Sequence, residues 1–122
     1  ALAAYGARVV SGSRDGAIRL WDPRARRCDA VLTERCGVGL GSVYDLAVCG
    51  DTLFSGGQVT AASCGLHAWD LRGPLHLGEL RGHADAVMAL AARGDSLLSG
   101  SWDGSIIEWA IRTFHPLRAL RP

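Results

Sequence analysis

The sequence predicts an all-β fold built from about three copies of a small four-stranded antiparallel sheet. Three sets of residues recur with one spacing: Ser-Gly pairs begin at positions 11, 55 and 99, leucines stand at 2, 46 and 90, and glycines at 6, 50 and 94. Each set therefore steps by 44 residues. Short apolar runs of strand length, separated by turn-forming Gly and Asp residues, fill each unit. A period of about 40–45 residues with four short strands is typical of the blades of a β-propeller.

The best-formed unit begins at Arg81. It opens with Gly82-His83, and Asp103-Gly104 gives a strong tight-turn signal between two strand-like runs. The strands predicted in this unit lie at 86–91, 96–99, 105–109 and 117–120. The other two units read as copies of it, with strands at 2–4, 8–11, 17–21 and 28–32, and at 42–48, 52–55, 66–69 and 75–80. A single non-repeating β-sandwich is the alternative, but it does not explain the shared period.

The repeats set the domain organisation as blade one (1–36), blade two (37–80) and blade three (81–122). A propeller needs roughly 4–8 blades to close its ring. We therefore expect a partial β-propeller, a fragment of about three blades, whose remaining blades come from sequence outside these 122 residues. The first repeat lacks its start in this alignment.

The composition excludes several classes of protein. Net charge is +1, so no strong field attracts nucleic acid or anionic lipid, and no apolar run approaches membrane-spanning length. All 13 basic residues are arginine, which rules out a phosphate-loop or Schiff-base lysine in this segment. The four cysteines show neither CxxC spacing nor a histidine at zinc-ligand distance. We expect reduced thiols, no metal, no cofactor, no membrane or specific nucleic-acid binding, and an intracellular location in the cytoplasm or nucleus.

The SGSWDG turn, the strand tryptophans and the Gly-His pair together resemble the tryptophan–aspartate (WD40) repeat family. The resemblance implies a structural hydrogen-bond relay: Asp103 accepts from His83, which contacts Ser99, whose hydroxyl accepts from the Trp109 indole N–H. Ser, His and Asp also suggest a hydrolase. We favour the structural role, because buried polar groups must be paired and the chain has no nucleophile elbow such as GxSxG.

The other two repeats depart from this pattern. Repeat one keeps Ser11, Asp15 and Trp21, without its histidine. Repeat two keeps Ser55 and Trp69. It has Ser63 where the other repeats have the turn aspartate, and Gly39 stands at the place of the histidine. We therefore expect its relay to be broken and its blade to be less firmly held. Its turn is four residues longer, which suits either a binding loop or a neutral insertion.

In this family the turn and the Gly-His loop lie at one mouth of the ring, where partners commonly dock. The resemblance implies that the residue before the turn aspartate points to that mouth. Here it is Arg14 in repeat one and Trp102 in repeat three, residue types enriched at interface hot spots. With the long turn of repeat two, they are the candidate partner contacts: Arg14, Trp102, Gln58, Val59 and Thr60. Local packing of Trp102 against its own blade is the alternative.

Two WDxR boxes end at Arg24 and Arg72. They resemble the docking signature of propellers that act as substrate receptors of cullin-type ubiquitin ligases, although arginine after a WD dipeptide is common in other propellers. The nearby cluster Arg24, Arg26, Arg27 suits a solvated loop or an anion patch.

The predicted function is that of a non-enzymatic scaffold that binds other proteins or peptides through rigidly held loops. Two alternatives stay open: a ligase substrate receptor, and the targeting domain of an enzyme whose catalytic part lies elsewhere.

Overall fold

The computed structural model describes residues 1–35, 40–60, 63–73 and 75–121, and confirms the predicted fold class. Three four-stranded antiparallel sheets follow one another along the chain, each with its strands paired in sequence order. Blade one contains β1 (Leu2–Tyr5), β2 (Arg8–Gly12), β3 (Ile18–Asp22) and β4 (Arg27–Val31), followed by a 3-10 turn at Leu32–Arg35. Blade two contains β5 (Val43–Cys49), β6 (Thr52–Gly57), β7 (Leu66–Asp70) and β8 (Leu75–Glu79). Blade three contains β9 (Val87–Arg93), β10 (Ser96–Ser101), β11 (Ile106–Ala110) and β12 (Pro116–Leu120).

Alternation of side chains along the strands explains why these segments pair as they do. In β3, Ile18 and Leu20 are buried while Trp21 is exposed, as the period of two along a strand requires. The turn between the second and third strands of each blade contains a glycine with positive φ: Gly16 (86°), Gly65 (89°) and Gly104 (87°). An L side chain is disfavoured there, so the Asp-Gly signal in the sequence has a backbone cause.

The apolar core lies between neighbouring blades. Val10, Ile18 and Leu20 of blade one belong to one cluster with Leu53 and Trp69 of blade two. One blade later, the same arrangement joins Phe54 and Leu66 of blade two to Leu97, Val87 and Trp109 of blade three. Each blade thus uses one face to cover the preceding blade and offers its other face to the following one.

Two glycines let adjacent blades approach closely. A Cβ added at Gly12 would lie 2.5 Å from Val43 Cγ1, and one added at Gly56 would lie 2.8 Å from Val87 Cγ1. Gly100, the third member of the series, has open space there. The valine that begins each following blade therefore seats on a glycine of the blade before it.

The two end faces of the three-blade array are exposed. Trp21 is 37% exposed on blade one, whereas Trp69 and Trp109 are buried. On the opposite side, Ile106 and Leu120 of blade three are exposed, although Leu66 and Leu80 at the corresponding places in blade two are buried. The sheets do not close into a ring within the described part of the chain.

The turns define two rims. The upper rim carries the β2–β3, β6–β7 and β10–β11 turns together with the segments that lead into β5 and β9. Backbone bonds tie these pieces together, including Val43 N–H to Ser13 O (3.0 Å) and Trp102 N–H to Ala86 O (3.0 Å). The lower rim carries the remaining turns, with Leu71 N–H bonded to Asp51 O (2.9 Å). The described residues contain no helix long and apolar enough to cross a membrane.

Candidate functional site

A buried hydrogen-bond relay underlies the upper rim of blade three. The Trp109 indole N–H donates to Ser99 Oγ (2.8 Å), and Ser99 Oγ lies 2.7 Å from His83 Nε2. The other nitrogen of the His83 imidazole, Nδ1, lies 3.2 Å from Asp103 Oδ2 and 3.1 Å from Ser105 Oγ. Because the Asp103 carboxylate can only accept, His83 carries its proton on Nδ1 and donates it to Asp103. Nε2 then accepts from the Ser99 hydroxyl at 2.7 Å, a shorter contact than the other acceptor of that hydroxyl, Ile107 O at 3.4 Å. The structure therefore brings together all four residues of the predicted relay.

Asp103 is the end point of this relay and fixes the turn around it. Its Oδ2 accepts from the Ala84 N–H (2.9 Å), and its Oδ1 accepts from the Ser105 N–H (2.8 Å) and from the Ser105 hydroxyl (2.5 Å). Burial disfavours the carboxylate, but these hydrogen bonds outweigh it and hold the pKa of Asp103 well below its ordinary range. A charged Asp103 thus joins the β10–β11 turn to the segment leading into β9. The sequence analysis did not identify Ser105, whose side chain is buried beside the carboxylate.

The shorter relay of blade one is exposed. Trp21 Nε1–H donates to Ser11 Oγ (2.8 Å), as the repeat predicts. Asp15 accepts from the Ser13 hydroxyl and from the Ala17 N–H, so it caps its own turn. The hydrogen bond from Ser13 lowers the pKa of Asp15, with that from Ala17 next. No bond joins Asp15 to Ser11 among the described contacts.

Blade two, for which the sequence predicts a broken relay and a less firmly held blade, keeps one bond of the pattern and adds others. Trp69 is buried and its indole N–H donates to Ser55 Oγ (2.9 Å), as in the other blades. A different histidine, His67 on β7, supplies the remaining polar contacts: its Nε2 lies 2.7 Å from Ser63 Oγ and its Nδ1 2.9 Å from His76 Nε2. Gly39, which stands at the histidine place in the sequence, lies outside the described residues. The polar network of blade two therefore uses a strand histidine, His67, where that of blade three uses the histidine before its first strand, His83.

These networks are suited to holding loops rather than to catalysis. Ser99 is fully buried, and its hydroxyl is engaged by the indole of Trp109 and the ring of His83. A nucleophile needs access to substrate and a nearby site for an oxyanion. Across the described residues, no group of three or more His, Cys, Asp or Glu side chains could hold a metal ion.

The predicted partner contacts on the upper rim differ in whether they also form hydrogen bonds within the chain. The Trp102 side chain is 70% exposed, while its backbone is held by the bond to Ala86 O. Val59 is 43% exposed. Gln58 is also exposed, and its Oε1 accepts from the Ser42 N–H (2.9 Å). Arg14 is exposed, and its carbonyl accepts from the Ser42 hydroxyl (3.0 Å).

The long turn of blade two forms one wall of a cleft. Thr60 and Ser63 form an antiparallel bridge in this turn, and the Thr60 N–H donates to Ser63 O (2.9 Å). Facing it is the segment from Arg81 to His83, at the entry of blade three. The cleft has a volume of about 290 Å³ and is open to solvent; its lining consists of Val59, Thr60, Ser63, Cys64, Arg81, Gly82 and His83. The four extra residues thus help to shape a surface concavity.

The WDxR boxes lie on the lower rim, away from this cleft. Asp70 Oδ1 accepts from Arg72 Nε (3.2 Å) and Oδ2 from Arg72 Nη2 (3.1 Å), so the guanidinium is folded onto its own box. This hydrogen-bonded pairing raises the pKa of Arg72 and lowers that of Asp70. Asp22 accepts from the Arg24 backbone N–H (3.1 Å). The aspartates of both boxes therefore serve first to cap their turns.

One contact between blades had no signal in the sequence. Asp45 on β5 accepts from the Leu90 N–H of β9 through Oδ2 (2.8 Å) and from the Leu46 N–H through Oδ1 (2.9 Å). An acidic residue inside a strand reads as a solvent-facing position, because sequence alone does not place the edge of β9 beside it. Alanine stands at the corresponding places in the other repeats, Ala1 and Ala89.

Comparison with known proteins agrees with this geometry. The family model "WD domain, G-beta repeat" matches residues 1–22 and 75–110. Over 106 residues the chain is 27% identical to the DENN domain and WD repeat-containing protein SCD1 of Arabidopsis thaliana. This alignment covers 87% of the chain and 8% of that protein. Over 107 residues it is 30% identical to guanine nucleotide-binding protein subunit beta-5b of Danio rerio, covering 86% of the chain and 26% of that protein. The chain thus spans about a quarter or less of these two relatives.

Solved structures give the same result. The computationally designed Ika4 protein superposes with a TM-score of 0.79 at 30% identity, covering 96% of this chain and 68% of that one. The RRP9 WD40 repeats superpose with a TM-score of 0.83 at 25% identity, covering 95% of this chain and 36% of that one. With the 44-residue period, the serine–tryptophan bonds in all three sheets and these matches, the chain belongs to the WD40 repeat family and forms three blades of a β-propeller.

Proposed function

We propose that the upper rim of these three blades binds a segment of another protein, with Trp102 as the central contact. WD40 propellers are generally protein-interaction scaffolds, and the proposal adds the surface that this chain uses. The observation that carries it is the state of Trp102: a large aromatic side chain, 70% exposed, on a turn whose backbone is fixed by hydrogen bonds.

The turn that carries Trp102 is rigid for reasons visible in its contacts. Asp103 N–H donates to Ser101 Oγ (3.1 Å), and Ser101 Oγ–H donates to Asp85 O (3.0 Å). The buried relay below holds Asp103 itself. A preformed turn loses little conformational freedom on binding, so more of the contact energy contributes to affinity. Tryptophan is among the residues most often found at hot spots.

The neighbouring cleft extends this surface. Val59 offers apolar area at its edge, and Arg81 lies on the opposite wall with its side chain 78% exposed while it pairs with Glu79 (2.6 Å). Arg14 presents a further exposed cation on the same rim. Together these groups suit a peptide that combines apolar side chains with polar or acidic ones.

The test is a comparison of Trp102→Ala with Leu75→Ala, a variant of an exposed apolar residue on the outer strand of blade two. Partners recovered with the wild-type chain are titrated against both variants. Loss of a hot spot costs about 2 kcal/mol, which is roughly a 30-fold weaker affinity. We expect this loss for Trp102→Ala alone, with unchanged thermal stability. Equal affinity for all three proteins would refute the proposed surface.

The two alternative functions rest on less. For a ligase receptor, Arg72 would have to release its bidentate pairing with Asp70 before it could contact an adaptor. A double change of Arg24 and Arg72 that leaves adaptor binding intact would exclude that role. For a targeting domain, the relative named for a DENN domain shows that WD repeats occur beside another domain. The three described free cysteines, Cys28, Cys49 and Cys64, fit the reducing interior of a cell.

A further inference from the structure

Blade two contains a pair of hydrogen-bonded histidines that the proposed binding surface does not use. His67 is buried, and its two ring nitrogens contact Ser63 Oγ (2.7 Å) and His76 Nε2 (2.9 Å). The ring of His76 packs against Trp69 with centroids 4.7 Å apart. His76 itself is half-buried on the outer strand β8. The pair thus connects the outer edge of the blade to the base of its long upper turn.

The hydrogen bonds assign one proton arrangement. Ser63 Oγ accepts from the Gly65 N–H (3.1 Å), and His67 Nε2 is the one acceptor for the Ser63 proton among the described contacts, so Ser63 donates to His67. His67 then carries its proton on Nδ1 and donates it to His76 Nε2. In this arrangement every polar atom between Gly65 and His76 is satisfied, and both rings are neutral.

Adding a proton breaks this arrangement. A protonated His67 has a donor on each nitrogen, so Ser63 would have to become an acceptor and turn its own proton elsewhere. A protonated His76 would set its Nε2–H against the Nδ1–H of His67. Burial lowers the pKa of His67 to about 4, with smaller effects of His76 and Arg81 in the same direction. Burial also lowers the pKa of His76, against the opposing effect of Glu79.

The surroundings of the pair offer little to stabilise the added charge. Ser55 of β6 and Glu79 of β8 lie opposite His67 in the sheet, and the Glu79 carboxylate is already paired with Arg81. Cys64 lies beside Ser63 in the turn, and burial raises the pKa of its thiol, which keeps it neutral. Trp69, on which His76 packs, shares its core cluster with the blade-one side chains Ile18, Leu20 and Leu32, which carry no charge.

We propose that the upper turn of blade two opens at Ser63–Gly65 when the His67–His76 pair takes up a proton, so that mild acid makes opening of this wall of the upper-rim cleft more frequent. The link between the pair and the turn is Ser63. Its backbone is bridged to Thr60, and its side chain accepts from the Gly65 N–H next to the bond from Gly57 N–H to Gly65 O (2.8 Å). A charged imidazole reaches water only when this corner separates from β7. The effect on partner affinity rests on the proposed function, whereas the opening of the turn does not.

The experiment measures amide hydrogen exchange in the whole chain at pH 7.5 and pH 5.0, as protection relative to the intrinsic rate at each pH. The amides of Gly57, Thr60 and Gly65 report the turn, and the amide of Ser13, bonded to Ala17 O in the histidine-free blade one, is the internal control. An imidazole that titrates near 6.5 when free and near 4 when buried predicts about a 30-fold loss of protection at pH 5.0. Ser13 should show no such change.

His67→Ile is the matched variant, because isoleucine occupies the corresponding buried place in blade three, Ile107. Its turn should have the same protection at both pH values. A wild-type turn that keeps its protection at pH 5.0, or a variant that loses as much as the wild type, would overturn the proposal.

A second measurement needs no variant. The imidazole resonances of His67 should show a neutral ring with its proton on Nδ1 at pH 5.5, whereas a ring that titrates near pH 6.5 would refute the mechanism. Because neither readout involves a partner, failure of this inference is distinguishable from failure of the proposed binding surface.

Discussion

Ser11 and Ser99 occupy the same place in two repeats, and each accepts from the indole N–H of the tryptophan in its own blade. Their surroundings differ. Ser99 is fully buried and also contacts His83, whereas Trp21, the partner of Ser11, is 37% exposed. Water can replace a hydroxyl only where it has access. The energetic weight of one serine therefore depends on the blades that cover it, and not on the repeat pattern alone.

This difference predicts unequal effects of the same substitution. Ser99→Ala leaves the Trp109 N–H and His83 Nε2 without partners in a buried site, which costs about 2 kcal/mol of unfolding free energy. Ser11→Ala leaves an indole N–H that water can reach, so we expect a loss below about 1 kcal/mol. Urea denaturation of both variants measures the two losses. Equal losses would show that the relay of blade three is not specially buried.

Asp103 makes the stability of blade three depend on pH. Its folded pKa lies below the ordinary value of 3.8, so the unfolded chain binds a proton more readily. The stabilisation is therefore present above about pH 4 and is lost as the pH falls below that value. Asp103→Asn should be less stable than the wild type at pH 6 and lose less on acidification to pH 3. The denaturant midpoints of both proteins at the two pH values provide the check, and a constant difference would contradict it.

Individual blades depend on how closely their neighbours approach. Gly12 and Gly56 lie under Val43 and Val87, with no room for a Cβ, whereas Gly100 has open space. Overpacking of a core by one methyl group costs about 1–3 kcal/mol. We expect Gly12→Ala and Gly56→Ala to lose stability in this range, and Gly100→Ala to change it by less than about 0.5 kcal/mol. Thermal unfolding of the three variants would contradict the seating of valine on glycine if Gly100→Ala were equally harmful.

The strands themselves were accessible from the sequence. All twelve predicted strands overlap the observed ones, with ends shifted by one or two residues, because apolar alternation and Gly or Asp turns act locally. The network of blade two was not predictable in the same way. His67 stands between the apolar Leu66 and Ala68, where alternation predicts a polar, solvent-facing residue, and only the packing of β7 on β8 brings its ring to His76. The one available signal was Ile107, the apolar residue at the same place in repeat three.

The three blades are similar, but a neighbouring blade covers some of their faces and not others. Leu66 is buried by blade three, whereas Ile106 at the same place in the next blade is 44% exposed. Leu66→Ala should therefore cost about 2–5 kcal/mol and Ile106→Ala less than about 1 kcal/mol. Chemical denaturation of both variants tests this. A loss from Ile106→Ala as large as that from Leu66→Ala would mean that the outer face of blade three is covered in solution.

The candidate site was predictable to a similar, partial degree. The four relay residues of blade three could be named only from the resemblance to the WD40 repeat. Three of them belong to the hairpin between β10 and β11, whereas His83 comes from the segment before β9. The bond that engages the Gln58 side chain, next to the exposed Val59, could not be predicted, because it depends on where the segment before β5 lies. The pairing of Arg72 with Asp70 was likewise invisible, since a side-chain rotamer decides whether an exposed arginine is free.

The bond between Asp45 and the Leu90 amide has a practical consequence. The acceptor belongs to one sheet and the donor to the next, so this hydrogen exchanges slowly only while both remain in place. The exchange rate of the Leu90 amide hydrogen therefore reports whether blades two and three are docked. Asp45→Ala should make this hydrogen exchange quickly without removing a backbone hydrogen bond from either sheet. Slow exchange in that variant would mean that the joint is shielded by something other than the carboxylate.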